Sequence, residues 1–251
     1  MKNMKVIGDI GNTEVKICLV NDKFRILKKI NLKTTEINKS NINNKLKFFL
    51  KNKKNLNIIV FSSVVPKIFK QFSYFFKKNM NKKIIEIKEL KLNTIIDIRV
   101  NKKQLGSDRL ANSIAIMDSK NNYIIIDFGT ATTFDVIKKN KYLGGVISPG
   151  INLSLKTLTS RASLIPKINL KKISNVIGKN TNEAVRSGFF WGYAGLIDNM
   201  IKLIKRQTKS NFKVVLTGGL ADLYKNSIIT KCTVDKDLTI KGIIKVTKNL
   251  I

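Results

Sequence analysis

Two segments of this chain carry an apolar run onto an aspartate, turn through a glycine, and re-enter an apolar run: Asp9-Ile10-Gly11-Asn12-Thr13 and Asp127-Phe128-Gly129-Thr130-Ala131-Thr132. One Asp-x-Gly turn is an ordinary hairpin. Two of them, at equivalent places in two meanders, point to one structural plan used twice. In the first, Met4–Gly8 delivers Asp9, and Val15–Val20 and Phe24–Ile30 are expected as the next strands. In the second, Tyr123–Ile126 delivers Asp127, with Thr132–Ile137 and Tyr142–Ile147 to follow. The turns suit a phosphate ligand. Glycine permits a tight turn and close backbone approach, and amide groups with the hydroxyls of Thr13, Thr130 and Thr132 can cradle phosphate oxygens. A carboxylate beside them can hold a cation or its water shell.

The rest of the chain alternates between helix and strand. A helix is expected over Ile42–Leu50, a buried strand over Ile58–Ser62, a helix opened by Pro66, and strands at Ile84–Ile87 and Ile95–Val100. Ser107 reads as the cap of a helix whose apolar positions are Leu110, Ile114 and Met117. Long helices over Thr181–Arg206 and Asp237–Lys248 flank a strand at Lys213–Leu216. No Ser/Gly linker interrupts the chain, so the boundary between two small lobes falls inside the helix near residues 107–118. The expected domains are 1–112 and 113–251.

Composition removes several function classes. Cys18 and Cys232 are the only cysteines and histidine is absent, which excludes a disulfide framework and imidazole or paired-thiol metal sites; a bound metal must use oxygen ligands. Neither GxxxxGK[ST] nor GxGxxG occurs, and a protein-kinase catalytic loop lacks its histidine. No apolar run is long enough to span a membrane, and the start, MKNMKVIGDIGNT, lacks a signal peptide's apolar stretch, so a cytoplasmic location without membrane association is expected.

The 48 Lys+Arg against 16 Asp+Glu leave a net charge of +32, a field that attracts nucleic acid, anionic membrane or polyphosphate. The lysines are spread along the chain and travel with asparagine and isoleucine, as AT-rich coding produces. That pattern fits compositional drift better than a dedicated nucleic-acid surface, and no specific nucleic-acid partner is expected. In the densest aromatic and basic stretch, Pro66–Lys83, Ile68, Phe69, Phe72, Phe75 and Phe76 fall at helical spacing and read as core, not as a base-stacking platform.

Taken in order, Asp9–Thr13, Gly106-Ser107-Asp108-Arg109, Asp127–Asp135 (DFGTATTFD), Gly144–Gly150 (GGVISPG), Asn180-Thr181 and Thr217-Gly218-Gly219 resemble a type III pantothenate kinase over nearly the whole chain. The resemblance implies an α/β fold of two duplicated ribonuclease H-like domains, each a mixed sheet flanked by helices, in the actin-like ATPase architecture. It implies a homodimer that uses ATP with Mg2+ and a monovalent cation, K+ or NH4+, to phosphorylate pantothenate. By that resemblance Asp9, Ile10, Gly11, Asn12, Thr13, Glu14, Val15 and Lys16 form the first phosphate loop and Thr130 also contacts ATP. Gly106, Ser107, Asp108, Arg109 and Thr181 meet pantothenate, Asp108 is the proton acceptor, and Asp127 binds the monovalent cation. Where the family places a tyrosine and, three residues on, a proline, this chain has Arg99 and Lys102. Arg99 is expected at the pantothenate pocket.

Residue chemistry taken alone leaves alternatives open. In the first turn of a helix, Asp108 sits where the positive dipole end keeps a carboxylate ionised and able to accept a hydroxyl proton, and Arg109 can neutralise an anion beside it. A Ser-Asp-Arg helix cap with a solvated arginine accounts for the same residues. Thr181 equally reads as a helix N-cap, Trp191 as packing, and Gly144, Gly145, Gly150, Gly218 and Gly219 as turn residues or ligand contacts. The competing functions are another kinase or phosphohydrolase of this fold, or a non-catalytic basic regulator that binds nucleic acid.

Overall fold

A computed structural model describes residues 3–38, 40–51 and 53–250. The chain forms two compact units, Met1–Ile116 with Asp237–Ile251, and Met117–Lys236.

In the first unit, β1 (Met4–Ile10), β2 (Glu14–Val20), β3 (Ile26–Lys33), β4 (Leu56–Ser63) and β5 (Ile85–Glu86) form one sheet in the order β3-β2-β1-β4-β5. The β1–β2 and β2–β3 pairs are antiparallel, and β4 joins β1 in parallel, with Asp9 opposite Lys16 on one side and Ser62 on the other. One side of the core is closed by α3 (Pro66–Met80), reached after the short α1 (Ile42–Lys45) and α2 (Lys47–Lys51). Pro66 opens it, where the missing amide costs nothing, and Asn81 closes it in the left-handed conformation. Its buried stripe, Ile68, Phe72, Phe75 and Phe76, packs with Phe61 and Phe49. Truncating any of these phenylalanines costs about 3–5 kcal/mol. The phenylalanines of this stretch are core, as their spacing predicts.

The short strand β6 (Asp97–Ile98) precedes α4 (Ser107–Ile116), which packs on α8 (Leu238–Lys248). Asn112 lies fully buried in that contact, and the Thr239 hydroxyl donates to its side-chain oxygen at 2.8 Å. This packing groups the final helix with the first unit, not with the residues that precede it in sequence.

The second unit repeats the order. Strands β7 (Asn122–Phe128), β8 (Ala131–Lys138), β9 (Lys141–Pro149), β10 (Lys213–Gly218) and β11 (Cys232–Val234) run β9-β8-β7-β10-β11, with antiparallel β7–β8 and β8–β9 pairs and parallel β7–β10 and β10–β11 pairs. Asp127 lies opposite Thr133 and Thr217. Its core joins Ile124, Ile126, Phe134 and Leu216 to Phe190, Ile197 and Ile201 of α6 (Thr181–Thr208) and Tyr224 of α7 (Ala221–Tyr224). Both units thus have the ribonuclease H-like strand order, and the duplicated α/β fold expected from the two turns is present.

Four local expectations need correction. The helix expected over Ile42–Leu50 is two short helices, Ile42–Lys45 and Lys47–Lys51, interrupted at Leu46, whose backbone leaves helical geometry at φ -104° and ψ 6°. The strand expected over Ile95–Val100 shrinks to Asp97–Ile98, since the Ile95 and Ile96 amides both donate to the Leu92 carbonyl in a turn. The helix over 107–118 ends at Ile116. An unforeseen helix, α5 (Ile151–Arg161), buries only Ile151 and Leu155, too sparse a pattern to announce itself.

Candidate active site

The two aspartate turns are braced by the same backbone bonds. In the first, the Gly11 amide donates to the Glu14 carbonyl, the Thr34 amide to Thr13 and the Val64 amide to Ile10, each at 3.0 Å. In the second, the Gly129 amide donates to Ala131, the Gly150 amide to Thr130 and the Gly219 amide to Phe128, at 3.0–3.1 Å. Thr34 and Gly150 each follow the third strand of their sheet, and Val64 and Gly219 each follow the fourth. The turns are therefore fixed by their sheets before any ligand arrives.

Two glycines around the second turn, Gly150 and Gly218, are required sterically, whereas Gly219 has open space about it. A β-carbon on Gly150 would stand 2.2 Å from the Thr130 carbonyl oxygen, and one on Gly218 would stand 2.5 Å from the Asp127 carboxylate and 2.6 Å from the Phe128 oxygen. Gly218 also holds φ +85°, which side chains disfavour. A half-buried carboxylate is thus brought against bare backbone, and Thr130 at the tip is exposed.

Within the first turn the resemblance assigns more residues than can present side chains. Ile10 and Val15 are fully buried in the core, so their contact with a ligand is limited to backbone. Asn12 and Thr13 are exposed, while Lys16 and Glu14 pair at 3.8 Å on the rim. Thr132, expected to offer its hydroxyl to phosphate, is fully buried in β8 beside Phe128, on the core face. Thr133 instead shares the face of Asp127, and its hydroxyl is buried with no hydrogen-bond partner among the described residues.

The Gly106–Arg109 segment opens α4 in the first unit. The Leu110 amide donates to the Gly106 carbonyl, so the helix begins one residue earlier than a Ser107 cap requires. The Ser107 hydroxyl, buried at 2% exposure, donates to Glu86 on β5 and not to the helix backbone. Asp108 accepts the Arg109 amide at 2.7 Å. Burial pushes its carboxyl above the usual range, and the Arg109 amide and guanidinium and the Lys88 ammonium oppose the shift. The helix dipole favours an ionised carboxylate at this position, and partial burial raises its proton affinity, a combination suited to a base working near neutrality.

Arg99 is exposed and pairs with Asp97 at 2.6 Å, and the Lys102 ammonium donates to the Leu90 carbonyl at 3.4 Å. Thr181 is exposed at the first position of α6, but the cap is Asn180: its side chain accepts the Glu183 amide at 3.0 Å, and Glu183 accepts the Lys179 amide at 2.9 Å. Trp191 packs edge-on against Phe190. Asp9–Lys16 and Gly106–Arg109 belong to the first unit, and Asp127, Thr130 and Thr181 to the second. Sequence reasoning passed over Thr34 and Glu86. Thr34 was findable, since it follows β3 where Gly150 follows β9; nothing in the sequence signals Glu86.

A sequence profile of the type III pantothenate kinases matches residues 5–203. A Pelagibacter ubique (strain HTCC1062) protein named type III pantothenate kinase is 58% identical over 244 residues, covering 97% of this chain and 98% of its own. A protein of the same name from Desulforapulum autotrophicum is 35% identical over 249 residues, covering 96% and 95%. Among solved structures, a Campylobacter jejuni protein described as a Baf family transcriptional activator aligns over 98% of both chains with a TM-score of 0.62 at 22% identity. The activator of the 2-hydroxyisocaproyl-CoA dehydratase from Clostridium difficile, with bound ADPNP, aligns over 98% of this chain and 92% of its own with a TM-score of 0.52 at 12% identity. At those identities the structural likeness speaks for the fold.

Proposed function

Because the chain belongs to the type III pantothenate kinase family, we propose that its two aspartate turns hold ATP and that Asp108 activates the acceptor. The reaction is ATP-dependent phosphorylation of pantothenate, a step of coenzyme A biosynthesis. The observation that carries the assignment of the base is the half-buried, amide-anchored carboxylate of Asp108 in the first turn of α4. Asp108 accepts the proton of the pantothenate hydroxyl as its oxygen bonds to the γ-phosphorus and the bond to the ADP oxygen breaks. Gly106, Ser107 and Arg109 contact the anionic substrate, and Arg99 and Thr181 are further substrate contacts in the same reading. Asp9–Lys16 and Thr130 hold the phosphates, largely through backbone amides and short hydroxyls. In such transfers positioning and electrostatics supply most of the rate.

The residues fit the cations this chemistry uses. No cluster of three or more acidic, cysteine or histidine side chains exists among the described residues, which suits Mg2+ held mainly by phosphates and water with one or two carboxylates. Asp127 and the orphan hydroxyl of Thr133 on its face suit a monovalent cation, K+ or NH4+. When bound, the cations neutralise phosphate charge.

A homodimer is part of the same reading. Its support is the exposure of the apolar side chains Ile147, Leu153, Leu158, Leu164, Val176 and Ile177 on the second unit, since apolar surface left in water suits an interface. No helix among the described residues is long and apolar enough to cross a membrane, and we place the enzyme in the cytoplasm.

The decisive experiment is ADP release from Mg-ATP by the purified protein in potassium or ammonium salt. Pantothenate should stimulate it, and replacing the salt with its sodium or lithium counterpart should reduce it. Release indifferent to pantothenate sinks the assignment.

A further inference from the structure

The segment that presents Asp108 is tied to a single short stretch of chain. The Ser107 hydroxyl donates to one oxygen of Glu86, and the Lys88 amide donates to the other at 2.7 Å, so the carboxylate links α4 to the turn after β5. The Lys88 ammonium donates to the Lys103 carbonyl at 3.1 Å, and the Lys102 ammonium to the Leu90 carbonyl. Residues 86–90 therefore anchor the approach to the base from both sides of Gly106.

A plain cap does not need this arrangement. A serine opening a helix can satisfy its hydroxyl within its own first turn. Here a half-buried carboxylate from another element receives it, and burial pushes that carboxyl up against the Ser107 and Lys88 bonds that hold it down. Removing an ion from water is costly unless its bonds are well made, so the contact is expected where geometry must be held tightly.

We propose that Glu86 is a positioning residue for catalysis: by fixing Ser107 it sets the first turn of α4 and thereby the placement of the neighbouring Asp108. The inference rests on the reading of Asp108 as the base. Misplacement of a reacting group by about 1 Å can cost on the order of 100-fold in rate, so a tether one residue from the base has leverage that its own bond strength does not suggest.

The test is a double-mutant cycle with Glu86→Ala and Ser107→Ala, read as kcat and KM for pantothenate-dependent ADP release, together with amide hydrogen exchange over 106–110. Glu86→Ala should lower kcat by about 10- to 100-fold, leave the KM for ATP within about twofold, and speed exchange in the first turn of α4 while α8 keeps its protection. The double variant should be no slower than the slower single one, because both changes remove one contact. Glu86→Gln keeps the volume and one acceptor; it should fall between wild type and alanine, and it serves if the alanine variant does not fold. Strictly additive losses, or a folded Glu86→Ala enzyme with wild-type kcat, overturn the proposal, and so does unchanged exchange over 106–110. If wild-type turnover is indifferent to pantothenate but Glu86→Ala still speeds exchange there, the functional reading fails while the tether stands.

Discussion

The two aspartate turns are built from the same strands and the same three amide braces, yet one tolerates side chains where the other has none. At the residue after the third strand the first unit has Thr34, whose hydroxyl also donates to the Gly11 carbonyl at 2.7 Å, and the second has Gly150. Across the end of the fourth strand the first has Ser63 and Val64, the second Gly218 and Gly219. The turns differ in length as well. Gly11, Asn12, Thr13 and Glu14 lie between the paired Ile10 and Val15, but only Gly129, Thr130 and Ala131 between Phe128 and Thr132. The shorter turn sits closer to its braces, so a β-carbon there meets backbone. Duplication preserved the backbone bonds, and each copy then fixed its side chains by how close the surrounding chain comes.

If the turns hold phosphate and the base belongs to neither of them, the largest loss from a conservative change should fall outside both. Asp108→Asn should keep the fold and lower kcat by about 10²- to 10⁴-fold, with a much smaller change in the KM for pantothenate. Near wild-type turnover in the folded variant would move the role to Asp9 or Asp127. The same group sets the acid limb of the pH profile. A protonated Asp108 cannot accept a proton, and burial raises its affinity for one, so kcat should fall as pH drops through a value above the usual carboxylate range. An acid limb at the ordinary position, measured from kcat against pH, would place Asp108 in water.

The steric difference between the turns gives the next largest effect. Gly150→Ala should destabilise the protein by about 3 kcal/mol, since the new carbon meets the Thr130 carbonyl, and Gly218→Ala should cost a similar amount with a left-handed backbone added. Chemical denaturation measures both. Costs below about 1 kcal/mol would mean that the second turn can yield as the first does.

The smallest expected effect is at the matching position of the first turn. Thr34→Val keeps the backbone brace to Thr13 and removes only the hydroxyl bond to Gly11, so about 1 kcal/mol is expected by the same method. A loss as large as that of Gly150→Ala would erase the contrast between the copies.

Much of this was legible because turn chemistry and periodicity are local. The paired Asp-x-Gly turns announce the duplication, the phenylalanine stripe announces α3, and Gly106–Arg109 announces the helix that carries Asp108, the proposed base. The errors are equally informative. Thr132 carries the right hydroxyl for phosphate, but strand register turns it into the core and leaves Thr133 on the face of Asp127. Thr181 and Ser107 have the composition of caps. Asn180 takes the first role, and Ser107 gives its hydroxyl to Glu86.

Residue type and short spacing are enough to fix the two-fold plan, the lack of imidazole and paired-thiol metal chemistry, and the residues able to hold phosphate or accept a proton. Long-range packing is what brings the last helix to the first unit, makes glycine a steric requirement at Gly150 and Gly218, and carries Glu86 to Ser107. Those facts depend on which distant segments approach within a bond length or two. Nothing in the order of residues along the chain encodes that until the sheets have formed and set the distances.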